Sequence, residues 1–442
     1  MVKYLRNYLK FTIEAAESKR SHIRLSANSA LSAVLRGFLS LTLLVVAFFG
    51  IGVVYAAPNP DLSEPIRAVT SSPEIDFPNE LVIRLEADAD AEITQITFFY
   101  RLGRQKATIY GYPEFTPGKS VTTEFRIKTG GANFLPTGVD IEYHYVVRDA
   151  AGNTFESESF FLEYKDPAFD WQRLQEGDLV ILWHDRFERD VERVLADVAP
   201  RIEEIKSLFG VADAGVMKAV IVNSSREASR SFPFISQAAT SGHIYGGFAF
   251  GEMGVFVLRG LDPDGIVHEM THLLLDSAVD SPLARVPSWL NEGLAAFFES
   301  GHTFRESALD NADRAGDLLP LRGMFTQPGR PRDVGLFYAK AQSVVDYMME
   351  AYGPATMATL LGSINTGLSI DAAVRQAYGI SLDELDLQWS ARLAGETASP
   401  PPIDPGTFAT TFIITVAVML TASVIAFRWL KRIRSPRPDP DP

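Results

Sequence analysis

The spacing of hydrophobic residues divides the chain into two regions with different periods. In residues 73–165, short runs such as "LVIRLEAD" and "VTTEFRIKT" alternate apolar and polar positions, and Gly, Pro and Asn separate the runs. A period of two residues is typical of strands with one buried face, and regularly spaced turn signals are typical of β-sandwiches. This region therefore predicts an N-terminal β-sandwich domain.

Residues 172–393 combine two apolar strand patterns with helical ones. The runs "DLVILWH" and "MKAVIVN" predict buried strands, and other segments repeat apolar residues at the helical period. The region therefore predicts a small sheet with helices gathered on the C-terminal side, so that the whole chain is α+β. Helices are predicted over Glu188–Phe209, Phe337–Ala351, Ala355–Leu361, Ile370–Tyr378 and Leu382–Leu393.

Two apolar segments without charges flank these regions. Residues 37–57 follow a basic leader, 1–36, and predict an export signal or an uncleaved anchor. Residues 407–427 are long enough to cross a bilayer as a helix; a proline-rich linker, 395–406, precedes them and a basic tail, 428–442, follows. Because basic flanks remain in the cytoplasm, both predicted domains are expected on the extracytoplasmic side of the cell membrane.

Composition narrows the classes of partner. The chain has 442 residues, of which 46% are hydrophobic, and this is enough for more than one core. The formal net charge is −14 although both termini are basic, so the region between them is strongly acidic. An acidic region disfavours nucleic acid and anionic membrane surfaces as partners. The absence of cysteine excludes disulfides and thiolate zinc sites.

The segment "GIVHEMTHLLLD" contains candidate metal ligands. On a helix, His268 and His272 lie on one face, one turn apart, so both imidazoles can reach one metal ion. Glu269 can reach a water on that metal, and this H-E-x-x-H pattern is the two-histidine half of a zinc site with its general base. The alternative is a pair of partly buried histidines bonded to backbone carbonyls, although only seven histidines are present.

A candidate third ligand lies in "VPSWLNEGLAAFFES". Glu292 is the only carboxylate within the apolar part of this predicted helix, and burial of an unpaired carboxylate is costly. We therefore predict that Glu292 binds the metal. The alternative is a solvated acid in the first turn of the helix, where the helix dipole favours negative charge. Glu299, near the helix end, is interpreted as a surface acid.

These residues resemble the gluzincin metallopeptidases, the group of thermolysin and aminopeptidase N, and most closely the peptidase-MA-like families. The resemblance covers roughly residues 172–393 and implies a zincin-like domain in which His268, His272 and Glu292 hold Zn²⁺ while Glu269 activates the water. It also implies an oxyanion donor, for which Tyr338 is the candidate; an aromatic core residue is the equal alternative. In the N-terminal domain, "YHYVVRDAAGNTFES" resembles the late hairpin of immunoglobulin-like or fibronectin-like modules.

The sequence departs from the gluzincin pattern at two places. The G-x-M-E-N-like segment by which aminopeptidases hold the substrate amine has no counterpart in "GGFAFGEMGVFVLRG". The thermolysin-like aspartate that orients a metal-bound histidine is replaced by Ala296. Asp276 is considered as a substitute, although an acid near a helix end is more often a solvated residue. An aminopeptidase is therefore not predicted.

The stretch "GHIYGGFAFGEMGVFVLRG", residues 242–260, predicts a hairpin beside the metal helix. An edge strand at this position could pair with an extended peptide, although an ordinary structural hairpin would have the same sequence pattern. His243 is interpreted as a loop histidine.

The favoured function is a membrane-anchored zinc endopeptidase that acts on extracytoplasmic proteins or peptides. The alternative is a catalytically silent adhesion or scaffolding protein that uses the zincin fold structurally. All four residues, His268, Glu269, His272 and Glu292, are present, and this favours the enzyme.

Overall fold

A computed structural model describes residues 65–233, 246–300 and 318–395, together with Leu309 and Ala312. The predicted leader, both apolar segments, the linker beyond residue 395, the basic tail and His243 lie outside these described residues. No helix in the described ranges is long and apolar enough to span a membrane.

The N-terminal region contains seven strands joined into one sheet, and every pairing within it is antiparallel. Alternation of apolar and polar residues along these strands produces one buried face, as the sequence predicted. The strands are β1 (Ile66–Asp76), β2 (Glu80–Leu102), β3 (Ile109–Gly111), β4 (Gly118–Lys128), β5 (Val139–Asp149), β6 (Thr154–Glu156) and β7 (Phe160–Tyr164).

Strand β2 organises this sheet because it has 23 residues and pairs on both sides along its length. Its first half pairs with β1 and β4, its register shifts after Asp88, and its second half pairs with β5 and β3. Hydrogen bonds therefore form one seven-stranded sheet rather than the two separate sheets of the predicted sandwich. A strand of ordinary length could not have joined both halves.

The second region is built on a five-stranded sheet in the order β11-β12-β10-β9-β8. The central strands β9, β10 and β12 are parallel and consist almost entirely of buried residues, while β8 and β11 run antiparallel at the two edges. The strands are β8 (Gln172–Glu176), β9 (Leu179–Trp183), β10 (Met217–Val222), β11 (Gly247–Phe250) and β12 (Val255–Arg259). Mixed α+β structure is therefore confirmed.

Eight helices are described, and most of their boundaries agree with the sequence pattern. The helix from Glu188 to Phe209 begins and ends where it was predicted, whereas the predicted Phe337 start moves back to Pro331, whose fixed φ suits the first helical position. The helices are α1 (Glu188–Phe209), α2 (Ser225–Ser231), α3 (Pro263–Ala278), α4 (Ser288–Phe297), α5 (Pro331–Ala351), α6 (Pro354–Asn365), α7 (Ile370–Tyr378) and α8 (Leu382–Leu393).

The five-stranded sheet buries both of its faces, and each face belongs to a different core. Alternate residues such as Ile181 and Ile221 pack with the helices, whereas Leu182 and Val220 pack with the N-terminal sheet. Gly138 of the N-terminal region allows this approach, because a Cβ there would lie 2.4 Å from the Val220 side chain. The two regions therefore share an apolar core instead of being connected by a linker alone.

One buried lysine joins the two regions by charge. Lys218 of β10 is 3% exposed, and its Nζ donates to Asp140 Oδ1 at 2.6 Å and to Glu163 Oε1 at 2.5 Å. It also donates to the Gly138 carbonyl at 3.1 Å. A buried ammonium group is costly unless it is paired, so these contacts tie the position of β10 to that of the N-terminal sheet.

Candidate metal centre and active site

Helix α3 carries the three polar side chains of the H-E-x-x-H segment, His268, Glu269 and His272, together with a buried apolar face. Asp262 caps its N-terminus by accepting the Gly265 N–H, and Pro263 occupies the first turn. His268 and His272 then stand one turn apart, with ring centroids 4.8 Å apart. The helical spacing predicted from the sequence is therefore present.

Helix α4 brings Glu292 to the two histidines. Its Oε2 lies 3.4 Å from His268 Nε2 and 3.6 Å from His272 Nε2. Two ligand atoms that are each about 2.0–2.1 Å from a tetrahedral zinc stand about 3.3 Å apart, so the three side chains nearly match that geometry. Within the described ranges, these three side chains form a group whose ligand atoms are close enough to one another to hold a metal ion.

The hydrogen bonding around these atoms also fits a metal. Glu292 Oε2 is buried and has no hydrogen-bond partner within the described part of the chain. Each histidine uses its other ring nitrogen: His268 Nδ1 contacts Glu299 Oε1 at 2.8 Å, and His272 Nδ1 contacts Asn291 Oδ1 at 2.9 Å. Since oxygen partners hold both Nδ1 atoms as donors, both Nε2 atoms face the Glu292 oxygen and would bind a cation in their deprotonated form.

The structure corrects the interpretation of Glu299 and favours the solvated alternative for Asp276. Glu299 is not a surface acid, because its side chain is only 16% exposed and faces His268. Asn291, rather than Asp276, is the hydrogen-bond partner of His272. Asp276 is exposed, and its carboxylate lies against Gly251, where a Cβ would be 1.7 Å from Oδ2.

Sequence reasoning could have found Glu299 from its spacing. Glu299 follows Glu292 by two helical turns, so both lie on the same side of the α4 axis, but Glu299 lies just beyond the helix end. Asn291 adjoins Glu292 and carries no comparable signal. Both contacts join residues of separate segments, so the partner of each residue is known only from the structure.

The electrostatic environment differs among the ionisable groups of the site. Burial raises the pKa of Glu269 above its ordinary value. Burial would also raise the pKa of Glu292, but the positive charges of His272 and His268 outweigh burial and lower it. Burial would lower the pKa of His268, but the adjacent Glu292 and Glu299 carboxylates raise it to about 10. The carboxyl groups of Glu269, Glu292 and Glu299 surround the two histidines, and such a concentration of negative charge favours a divalent cation.

Strand β11 runs directly past Glu269. A Cβ at Gly247 would lie 2.7 Å from Glu269 Oε1, so the strand backbone and the carboxylate are adjacent. The pairing of β11 with β12 is antiparallel, and this confirms the predicted hairpin within the described residues. On the described strands, β11 is at the edge of the sheet.

Tyr338 and Gln327 complete this side of the site. Tyr338, on α5, is partly buried, and its hydroxyl accepts a hydrogen bond from Gln327 Nε2 at 3.2 Å. The same Gln327 nitrogen donates to Glu292 Oε1 at 2.7 Å. Gln327 therefore connects the Tyr338 hydroxyl with the carboxylate of Glu292, the candidate third ligand. Gln327 lies in a loop without a motif, so no sequence pattern singles it out.

Two histidines and a glutamate around one point, with a buried glutamate alongside in an α+β fold, form the arrangement that is typical of zincin-like metallopeptidases. Residues 205–395 match the family model of the Peptidase MA superfamily, and the candidate residues all lie within this range. The match confirms the resemblance to peptidase-MA-like metallopeptidases that the motifs predicted. A comparison with curated proteins found no match.

Solved structures show weaker similarity. The M1 zinc metallopeptidase from Deinococcus radiodurans has 11% sequence identity and a TM-score of 0.34, with 77% of this chain and 97% of that chain covered. A family 56 carbohydrate-binding module, a β-1,3-glucan binding domain, has 13% identity and a TM-score of 0.16, with 21% of this chain and 96% of that chain covered. At these scores, neither similarity assigns a role to a residue of this chain.

Proposed function

We propose that this protein is a zinc-dependent endopeptidase of the gluzincin type. The observation that supports this most strongly is the buried Glu292 Oε2, which faces His268 Nε2 and His272 Nε2. His268, His272 and Glu292 would hold the ion. When bound, zinc would supply Lewis acidity and lower the pKa of a water ligand to about 7.

Glu269 acts as the general base in this proposal. Its carboxylate is buried, and burial raises its pKa, so it accepts a proton more readily than an exposed glutamate does. The proton from the attacking water would reside on Glu269 and then pass to the leaving amine. Tyr338 would donate a hydrogen bond to the oxyanion that forms from the scissile carbonyl.

The edge strand supports an extended peptide as substrate. An incoming strand could pair with the outer edge of β11 through main-chain hydrogen bonds, and the Gly247 backbone would then place the peptide beside Glu269. The absence of a G-x-M-E-N-like segment supports internal cleavage rather than aminopeptidase activity. Protein or peptide is therefore the proposed substrate class.

Location at the cell membrane is part of the proposal and rests on the sequence alone. Residues 37–57 and 407–427 are apolar, and basic segments flank them. Both folded regions, including the N-terminal sheet, would lie outside the cytoplasm. Protease added to intact cells should then digest residues 57–406 and spare the tail, whereas protection of the folded regions would overturn this orientation.

The alternative is a catalytically silent adhesion or scaffolding protein. Metal analysis of the purified chain, followed by a peptide cleavage screen with and without chelator, separates the two functions. We expect one zinc per chain and cleavage that chelation abolishes, with Glu269→Gln as the inactive control. Stoichiometric zinc with no cleavage of any peptide in the screen would support the silent alternative.

A further inference from the structure

Gln327 contacts the two side chains that the proposed mechanism assigns to different tasks. Its Nε2 lies 2.7 Å from Oε1 of Glu292, a proposed metal ligand, and 3.2 Å from the hydroxyl oxygen of Tyr338, the proposed oxyanion donor. The residue lies in the segment between the short 3₁₀ turn Leu321–Gly323 and α5. One amide group therefore bridges two functional side chains.

The chemistry of an amide suits this position. A glutamine NH₂ group carries two protons, so it can donate to a carboxylate and to a hydroxyl oxygen at the same time. Donation to Glu292 Oε1 distinguishes the two carboxylate oxygens, because Oε1 is then satisfied while Oε2 remains directed at His268 and His272. Gln327 thus fixes the rotation of the Glu292 carboxylate.

The Tyr338 contact has a second consequence. A hydroxyl that accepts a hydrogen bond can still donate its own proton, and the accepted bond polarises the O–H group and strengthens that donation. The helices that carry Glu292 and Tyr338 are also closely packed, because a Cβ at Gly293 of α4 would lie 2.4 Å from the Ala341 carbonyl of α5. Gln327 therefore bridges two elements whose separation is already fixed.

We infer that Gln327 is a positioning residue that couples the third metal ligand, Glu292, to the Tyr338 hydroxyl. This inference rests on the proposed function, since it uses the roles assigned there to Glu292 and Tyr338. Gln327 acts through these two residues and touches neither metal nor substrate. Its loss weakens metal binding through Glu292 and transition-state stabilisation through Tyr338.

The metal half of the inference is tested by zinc affinity in the full-length chain with Glu269→Gln, which removes hydrolysis from the measurement. Competition with a chromogenic chelator is measured for Gln327→Ala and Gln327→Glu, and the second variant preserves the size of the side chain. We expect both to weaken zinc binding about 10-fold to 100-fold, as losses of groups that orient ligands do. Gln172→Glu, at an exposed glutamine on β8, is the control for the added charge and should bind zinc normally.

The Tyr338 half is tested by a double-mutant cycle on kcat at saturating zinc. Gln327→Ala should lower kcat about 10-fold when Tyr338 is present, but less than about 3-fold in a Tyr338→Phe chain, because the coupled hydroxyl is then absent. KM should change less than kcat does. A purely structural role of Gln327 would lower the melting temperature and leave this coupling at zero.

The inference is overturned if both Gln327 variants fold, bind zinc as the wild type does and show kcat effects that add to those of Tyr338→Phe. A variant that fails to fold is recognised by its circular dichroism spectrum, and the test is then decided by the other variant. Failure of the proposed function has a different signature: the wild-type chain binds zinc but cleaves no peptide. Zinc affinity then still decides whether Gln327 positions Glu292.

Discussion

Glu269 and Glu292 are the same residue type in one site, yet their surroundings shift their pKa values in opposite directions. Burial raises the pKa of Glu269, while for Glu292 the nearby His272 and His268 outweigh burial and lower it. Pairs of carboxyl groups that are separated in this way are typical of active sites in which one acts as a base and the other stays ionised. The proposed roles of Glu269 as base and Glu292 as ligand agree with this difference, because Glu292 faces both histidines.

At the residue scale, Glu269→Gln separates metal binding from catalysis. The substitution keeps the size of the side chain and removes its basicity, so we expect full zinc content with hydrolysis reduced at least about 100-fold. Zinc analysis and kcat/KM on one cleaved peptide measure the two quantities. Glu204→Gln, at an exposed position on α1, is the control and should behave as the wild type does. A Glu269→Gln chain with near wild-type activity would remove Glu269 from the mechanism.

Glu299 gives the second prediction at this scale, and here the structure reverses the expectation from sequence. Because Glu299 holds His268 Nδ1 at 2.8 Å, Glu299→Ala should weaken zinc binding about 10-fold to 100-fold. Glu299→Gln should lose less affinity, since its amide oxygen can still accept the hydrogen bond. Glu204→Ala serves as the matched surface control, and chelator competition is the measurement. Unchanged zinc affinity in Glu299→Ala would restore the surface interpretation.

At the scale of elements, the site depends on two helices and one strand that approach each other closely. Helix α3 supplies the two histidines and Glu269, α4 supplies Glu292, and β11 passes beside Glu269. Helical periodicity predicted the two helices, because each candidate ligand lies within a helix that is recognisable from the local sequence. The close approach of β11 depends on a glycine, since a side chain at Gly247 would meet the Glu269 carboxylate.

Gly247→Ala tests this approach. The added Cβ would stand 2.7 Å from Glu269 Oε1, so the base or the strand must shift, while the metal ligands are untouched. We expect kcat/KM to fall by about 10-fold to 100-fold with zinc retained. Gly246→Ala is the matched control, because a Cβ there would meet no atom within 4 Å. Equal activities of the two variants would show that β11 does not constrain Glu269.

At the scale of the whole molecule, the N-terminal sheet is joined to the second region across the buried face of the five-stranded sheet. Lys218 is buried there between acids of the N-terminal region, and Glu163 is one of its partners. Burial would raise the pKa of Glu163, but its hydrogen bond to Lys218 outweighs burial and lowers it. A carboxyl group with a lowered pKa stabilises the folded state above its unfolded pKa and loses that contribution as the pH falls through its folded pKa.

Glu163→Gln should therefore change how stability depends on pH. At pH 7 the variant should lose about 1.5–3 kcal/mol of the free energy of unfolding, the usual contribution of a charged hydrogen bond. The difference from the wild type should shrink as the pH falls below about 4.3, the ordinary glutamate value. Melting temperatures from pH 3 to 7 measure this, with the exposed Glu158→Gln as control. A difference that stays constant across this range would exclude the titration of Glu163 as its source.

The sequence by itself determined the features that repeat over short distances. Helix α1, the spacing of His268 and His272, and the Glu292 helix follow from periodicity and capping, because each depends on residues within a few turns. The tertiary structure decided the contacts that join distant segments: Glu299 with His268, Gln327 with Glu292 and Tyr338, and Lys218 with the N-terminal sheet. Such contacts depend on how separate elements pack, and packing distances are not encoded in the local pattern of apolar and polar residues.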